Sequence, residues 1–146
     1  MSARTQAENL LTLFIFVSCV LIHVQAMTVT LYGERTDTVH KFSIGGVAQR
    51  CFNINTCFKG PSKSATWNGV KKNTNVVFYS NENCQTHKAI GRETPDGALY
   101  FSDVNFYHNV AAIMIWEMGQ YATNGIANAC YLDEHATANS SINILA

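Results

Sequence analysis

Short apolar runs recur along the chain and are separated by turn-forming residues. Five runs have the length and the β-branched or aromatic content of strands: residues 28–32 (TVTLY), 41–44 (KFSI), 75–79 (NVVFY), 98–101 (ALYF) and 111–116 (AAIMIW). Turn formers such as Gly60-Pro61, Asn68-Gly69 and Pro95-Asp96-Gly97 stand between them. No stretch sustains a helical apolar period over three turns. The pattern predicts an all-β sandwich or barrel of antiparallel strands.

The start of the chain, before Met27, follows a different pattern. A polar start with Arg4 precedes an apolar run at residues 10–24, and Val24 and Ala26 occupy positions −3 and −1 of a cut before Met27. The run is shorter than the roughly 20 apolar residues that a membrane-spanning helix needs. These features predict a cleaved signal peptide over residues 1–26 and a secreted, extracellular product without stable membrane insertion.

Cleavage at that point would remove Cys19 and change the cysteine count. The mature chain keeps four cysteines: Cys51, Cys57, Cys84 and Cys130. An even number in a small secreted domain predicts two disulfides, with three pairings open. Zinc is a poor alternative, because no Cys-x-x-Cys pair exists.

The mature chain has the length of one domain with a hydrophobic core. We place this domain at residues 27–133 and a polar tail, expected to be loosely ordered, at residues 134–146. Asn139 begins an Asn-Ser-Ser sequon and is a predicted glycosylation site if the source is eukaryotic. We expect the protein to be a monomer.

The two halves of the chain resemble each other. The apolar run ending at Tyr32 is followed 35 residues later by Trp67, and the run ending at Tyr79 is followed 37 residues later by Trp116. The halves therefore repeat with a period of 47 to 49 residues. This repeat predicts two similar four-strand motifs packed face to face.

These residues resemble the βγ-crystallin superfamily, and in particular its small secreted microbial members. Residues 77–85 (VFYSNENCQ) resemble the aromatic corner and folded hairpin of a family motif, and residues 111–116 resemble its last strand. The resemblance covers residues 27–131. It implies two Greek-key motifs packed as a disulfide-stabilised sandwich, with killer-toxin-like, effector-like or metalloproteinase-inhibitor-like roles.

The chain departs from the family pattern at the calcium site. That site uses paired Asn or Asp residues ahead of a Ser/Thr-Ser pair, which supply oxygen ligands. Residues 59–64 (KGPSKS) place lysines where carboxylates are needed, and residues 107–112 (YHNVAA) lack both the acidic pair and the hydroxyls. We therefore expect no calcium and no other cofactor.

Groups that could perform catalysis are scattered along the sequence. The mature histidines lie in separate segments, with neither an HExxH motif nor a G-x-S-x-G elbow. Asp103 and Glu117 are the carboxylate pair considered for glycoside hydrolysis, provided that folding brought them together. We expect a protein without enzymatic activity.

Charge and aromatic residues supply candidate contacts with a partner. Residues 27–91 carry eight Lys or Arg against three acids, whereas residues 92–146 carry one against six. The candidates are a basic loop and two adjacent aromatic pairs: Lys59, Lys63, Lys71, Lys72, Tyr100, Phe101, Phe106 and Tyr107. One ring of each pair should be partly exposed if the pairs lie in strands. The alternative for the lysines is that they are simply solvated surface charges, and the alternative for the aromatic residues is that they fill the core.

Together, these features predict a secreted, non-enzymatic binding protein that acts on another organism as a toxin-like or effector-like virulence or antagonism factor. Its expected partner is an extracellular protein, a cell-wall glycan or an anionic surface, and not nucleic acid. One alternative is a protease inhibitor whose rigid loop spans residues 51–72. Another is a protein that binds or hydrolyses cell-wall glycans.

Overall fold

A computed structural model of the protein describes residues 27–35 and 38–130. This part of the chain forms nine strands: β1 (Met27–Gly33), β2 (Val39–Ile44), β3 (Cys51–Asn53), β4 (Ser62–Asn68), β5 (Asn75–Tyr79), β6 (Lys88–Gly91), β7 (Gly97–Tyr100), β8 (Ala112–Trp116) and β9 (Ile126–Asn128). A short 3-10 helix at Phe101–Val104 follows β7. The predicted signal peptide, Asn139 and the predicted tail lie outside the described residues.

The strands form two sheets. The first sheet has the order β2-β1-β4-β7, and the second has the order β6-β5-β8-β3-β9. Neighbouring strands are antiparallel, except β3 and β9, which are parallel. The predicted all-β class is confirmed.

Within residues 27–35 and 38–130, no helix has the length and hydropathy needed to cross a membrane.

Strands β1 to β4 come from the first half of the chain, and strands β5 to β8 come from the second. Each half contributes its third strand to the sheet of the other half. β7 pairs with β4 in the first sheet, and β3 pairs with β8 in the second. The exchange therefore joins the two halves by backbone hydrogen bonds as well as by packing.

The predicted runs agree closely with the observed strands. Residues 75–79 form β5 with the predicted bounds, and the other four runs differ by one or two residues at an end. Phe101 is the informative difference, because the chain leaves the sheet there and enters the 3-10 helix. Alternation in residues 28–32 also agrees with burial: Val29 and Leu31 are buried, and Thr28 and Thr30 are partly exposed.

The main core lies between the sheets. Trp67 of β4 points into it, and its ring lies against Gly91 and Gly97, where an added Cβ would come within 2.3 Å and 2.6 Å of the indole. The indole Nε1 donates a hydrogen bond of 2.6 Å to the backbone oxygen of Glu93. The two glycines therefore provide the space in which the indole is buried.

The pairing of the strands shows which residues of the two halves correspond to each other. Tyr32 pairs with Ser64 in the first half, and Tyr79 pairs with Ala112 in the second, so these two pairs correspond to each other. Trp67 is therefore equivalent to Ile115 and not to Trp116. The two indoles lie on opposite faces of their sheets, since Trp67 belongs to the core between the sheets and Trp116 packs with the cluster of Tyr79 on the other side.

Two disulfides are formed, as predicted, and the structure selects one pairing: Cys51–Cys84 and Cys57–Cys130. The first joins β3 to the β5–β6 hairpin and lies in a second buried cluster with Val77, Tyr79 and Met114. This cluster covers the outer face of the second sheet. The second disulfide joins the β3–β4 connection to the end of the described chain.

Candidate functional site

The buried side chain of Gln49 forms three hydrogen bonds with the backbone of the β8–β9 loop (residues 117–125). The Nε2 group of Gln49 donates hydrogen bonds of 3.0 Å to the backbone oxygen of Gly119 and 2.7 Å to that of Tyr121. Its Oε1 atom accepts a hydrogen bond of 2.8 Å from the backbone N–H of Glu117. Gln49 is only 4% exposed, so these bonds are shielded from water.

The backbone of Gln49 also contributes to this arrangement. Its N–H donates to the oxygen of Ile115, and its carbonyl oxygen accepts from the N–H of Asn124. The residue has a φ of 58°, a left-handed conformation that is uncommon for residues other than glycine. All polar groups of Gln49 are therefore engaged in holding the end of β8 and the loop that follows it.

Large apolar side chains stand on the outside of this loop. Met118 is 87% exposed and Tyr121 is 82% exposed. Tyr121 also lines a groove of about 530 Å³, together with Gln85, Lys88 and Ile126. Because the backbone is held from beneath, the β8–β9 loop presents two apolar side chains on a fixed support.

A second surface of interest is the outer face of the first sheet. Paired positions run across all four strands in one row, from Val39 through Tyr32 and Ser64 to Tyr100. The next row contains Lys41, Thr30, Thr66 and Ala98. We call these two rows the tyrosine face. A groove of about 410 Å³ lies along it, lined by both tyrosines and by Ser64 and Thr66.

The structure divides the predicted basic loop into two parts. All four lysines are exposed. Lys59 and Lys63 lie before and at the start of β4, whereas Lys71 and Lys72 follow its end. A seven-residue strand is about 20 Å long, so the two pairs lie at opposite ends of the sheet. Lys71 also forms an ion pair with Glu117. The prediction of one continuous basic loop is therefore wrong.

One ring of each aromatic pair is exposed, as expected, but strand alternation is not the reason, because Phe101 lies in the 3-10 helix and the Phe106–Tyr107 pair follows that helix. Tyr100 is 55% exposed and Tyr107 is 77% exposed. Phe101 and Phe106 are buried and contact each other with ring centroids 5.4 Å apart. These two phenylalanines are core residues and are not available for a partner. Tyr107 follows the 3-10 helix and does not lie in a strand.

The stretch proposed as an inhibitor loop, residues 51–72, is not one exposed loop. It contains β3 and β4, and β4 lies inside the first sheet between β1 and β7. Only the short connections around β4 are free of sheet pairing. A rigid exposed loop does exist in the protein, but it is the β8–β9 loop.

The carboxylates of Asp103 and Glu117 are also far apart. Asp103 follows β7 beyond the Ser64 end of β4, since Ser64 pairs with Tyr100. Glu117 contacts Lys71, beyond the other end of β4. A glycoside hydrolase needs its two carboxyl groups within roughly 5–10 Å, and β4 alone spans about 20 Å. These two residues therefore do not form such a pair.

The two stretches compared with the calcium motif meet in the structure. Ser62 is buried, and its Oγ accepts a hydrogen bond of 3.1 Å from the backbone N–H of Val110. This serine hydroxyl joins the stretches directly. Across residues 27–35 and 38–130, His, Cys, Asp and Glu side chains form no group of three or more that could hold a metal ion.

One titratable group in the second buried cluster is strongly perturbed. Burial raises the pKa of Tyr79 to about 12, although the hydrogen bond from the Trp116 indole opposes this shift. That bond is 2.8 Å long and runs from Nε1 of Trp116 to the Tyr79 hydroxyl oxygen. The tyrosine hydroxyl therefore acts as a structural hydrogen-bond acceptor beneath the β8–β9 loop.

The sequence contained a partial signal for the β8–β9 loop. The dipeptide Asn124-Gly125 is a typical turn former and lies at the end of the loop, where Gly125 has a φ of 75°. No local sequence pattern indicated the role of Gln49, because the residues that its side chain contacts lie about 70 residues away.

Comparison of the chain with family models, with curated proteins and with solved structures found no significant match.

Proposed function

We propose that this is a secreted, non-enzymatic binding protein of βγ-crystallin-like fold, which acts on another organism in a toxin-like or effector-like way. The β8–β9 loop is its contact element, and the partner is an extracellular protein with an apolar pocket. The observation that carries the proposal is the attachment of this exposed apolar loop to the buried Gln49.

Strand exchange supports the fold part of the proposal. Each sheet contains three strands of one half and the third strand of the other, and β9 is added at the edge of the second sheet. This arrangement is what two Greek-key motifs packed face to face would give. The correspondence between the Tyr32–Ser64 and Tyr79–Ala112 pairs supports it independently of the sequence motifs.

The cysteines support an extracellular location. Four cysteines form two disulfides in the described domain, and disulfides persist mainly in oxidising compartments. The leader-like pattern at residues 1–26 independently indicates export.

Preorganisation of the loop supports a binding role. A contact made by a flexible loop loses conformational entropy on binding, at roughly 0.5–1.5 kcal/mol for each immobilised side chain. The bonds from Gln49 reduce the backbone part of this loss in the β8–β9 loop. Methionine and tyrosine are enriched at protein interfaces, and large exposed anchors carry much of the binding energy. Met118 and Tyr121 meet this description.

Binding to foreign cells tests the proposal. Purified, oxidised mature protein would be labelled and applied to live plant, fungal and bacterial cells, with cell damage scored in parallel. We expect saturable binding to at least one cell type, and at least a tenfold loss of affinity in a Met118→Ser/Tyr121→Ser variant. Tyr107→Ser is the matched control, because Tyr107 is similarly exposed but lies before β8, at the opposite end of that strand from the loop. Equal losses in both variants, or no binding, would reject the proposal.

The same loop favours protease inhibition as a second candidate. A rigid, solvent-exposed loop is what an inhibitor presents to a protease. Titration against secreted proteases separates the two functions. Stoichiometric inhibition that is lost in Tyr121→Ser would identify an inhibitor, whereas cell binding without inhibition would identify the toxin-like or effector-like function.

A further inference from the structure

The tyrosine face differs from the outer face of the second sheet. Cys84 and Ala122 lie on the outer face of the second sheet, so that sheet is covered by the β5–β6 hairpin and the β8–β9 loop. On the first sheet, the outward side chains Thr30, Tyr32 and Thr66 remain partly exposed, and Tyr100 is exposed. The described residues therefore leave this face accessible along a groove of about 410 Å³. Pockets of about this size hold small ligands.

The two tyrosines stand at a defined separation. Tyr32 of β1 pairs with Ser64 of β4, which pairs with Tyr100 of β7. Neighbouring strands lie about 4.8 Å apart, so the two tyrosines are separated by about 10 Å along one row. Two sugar units joined in a straight chain cover a comparable length. Both rings can therefore contact one disaccharide.

Chemistry on this face suits a neutral polyhydroxylated ligand. The hydroxyls of Tyr32, Ser64 and Thr66 belong to partly exposed side chains, and the hydroxyl of Tyr100 belongs to an exposed one. They can both donate and accept hydrogen bonds, as sugar hydroxyls do. The faces of aromatic rings carry negative partial charge and attract the polarised C–H groups of a pyranose. Lys41 is the single charged residue in the two rows, and Glu34, Arg35 and Lys63, with charges of both signs, also line the groove.

We propose that the tyrosine face binds a straight β-1,4-linked pyranose chain, with successive sugar units on Tyr32 and Tyr100 and with Ser64 and Thr66 bonding to the sugar hydroxyls. A straight chain fits because both tyrosines rise from the same face of one sheet. Cellulose and chitin are both β-1,4-linked pyranose chains. The site is separate from the β8–β9 loop and does not depend on the function proposed for that loop.

Calorimetry with two soluble ligand series tests the proposal: cello-oligosaccharides and chito-oligosaccharides of one to six units. Pull-down on insoluble cellulose and chitin accompanies the calorimetry. We expect binding to at least one series, with affinity rising steeply from one sugar to two. Binding to one series alone would identify cellulose-type or chitin-type glycan as the source.

Variants then test the site itself. Tyr100→Ala should weaken binding at least tenfold, whereas Tyr100→Phe should retain most of it because the ring remains. Tyr121→Ala removes an equally large exposed tyrosine from the other surface and should leave glycan binding unchanged. Tyr100 lies on an edge strand, so its truncation should be tolerated.

Several outcomes would overturn the glycan site. These are absence of binding to both series, binding that is insensitive to Tyr100→Ala, and equal affinity for one sugar and two. The result is separable from that for the β8–β9 loop. Cell binding that is lost in the Met118→Ser/Tyr121→Ser variant but kept in Tyr100→Ala, without glycan binding, would retain the loop and reject the tyrosine face.

Discussion

The side-chain oxygen of Gln49 accepts a hydrogen bond of 2.8 Å from the backbone N–H of Glu117, 68 residues later in the chain. This contact ties the connection between β2 and β3 to the first residue after β8. The amide nitrogen of the same side chain continues along the β8–β9 loop to the carbonyl oxygens of Gly119 and Tyr121. The loop is therefore positioned by a side chain from the other half of the protein.

Replacing Gln49 by alanine should loosen the β8–β9 loop and destabilise the domain. Three side-chain hydrogen bonds are lost, at about 1 kcal/mol each, so we expect a loss of roughly 2–4 kcal/mol. Urea unfolding measures the loss, and hydrogen exchange should show reduced protection of the Glu117 amide. Gln85→Ala, at an exposed glutamine, is the control and should change stability by less than about 0.5 kcal/mol. Unchanged protection in the Gln49 variant would contradict this role.

Alternation along single strands was readable from the sequence. It separated the buried Val29 and Leu31 from the partly exposed Thr28 and Thr30. Short-range patterns report which side of a strand is buried, because side chains alternate between the two faces. They could not show that Phe101 leaves the sheet for a 3-10 helix, which depends on the packing of its ring against Phe78 and Phe106.

Long-range pairing was not readable from the sequence. The four lysines look like one basic loop until β4 separates them, and Asp103 and Glu117 look like a candidate pair until the two ends of β4 are located. The tyrosine face depends on register between β1, β4 and β7, which come from different parts of the chain. A one-residue change in register would turn Tyr32 or Tyr100 to the opposite face.

Gly91 should not tolerate a methyl group. An alanine Cβ at this position would lie 2.3 Å from Cη2 of Trp67, whose indole is held by its hydrogen bond to Glu93. We expect Gly91→Ala to destabilise the protein by about 1–3 kcal/mol, the usual range for overpacking. Gly45→Ala is the control, since nothing lies within 4 Å of the position that its methyl group would take. Equal urea midpoints for the two variants would show that Trp67 is not confined there.

Peptide mapping without reduction should recover Cys51 with Cys84 and Cys57 with Cys130. The second disulfide closes a span of 73 residues, for which chain entropy gives a stabilisation of about 4 kcal/mol. A Cys57→Ala/Cys130→Ala variant should lose about this amount in urea unfolding. Any other pairing would contradict the structure. A loss below about 1 kcal/mol would show that this disulfide does not restrict the unfolded chain.

Tyr79 should make the folded protein sensitive to alkaline pH. Burial raises its pKa to about 12 in the folded protein, compared with the ordinary tyrosine value of 10.0 in the unfolded chain. Below pH 10 the hydroxyl is protonated in both states, and its contribution to stability is fully present. Between pH 10 and 12 the unfolded chain releases this proton while the folded protein keeps it. Stability is therefore lost as pH rises, by about 3 kcal/mol once the folded pKa is passed.

Tyr79→Phe removes this titration and should flatten the fall in unfolding free energy between pH 10 and 12. At neutral pH the same variant should lose about 1 kcal/mol, because the Trp116 indole no longer has the Tyr79 oxygen as its acceptor. Tyr121→Phe is the control, since Tyr121 is an exposed tyrosine, and it should keep the slope of the wild-type protein. Urea unfolding at half-unit steps of pH measures all three proteins. Parallel curves for wild type and Tyr79→Phe would show that the Tyr79 hydroxyl titrates alike in both states.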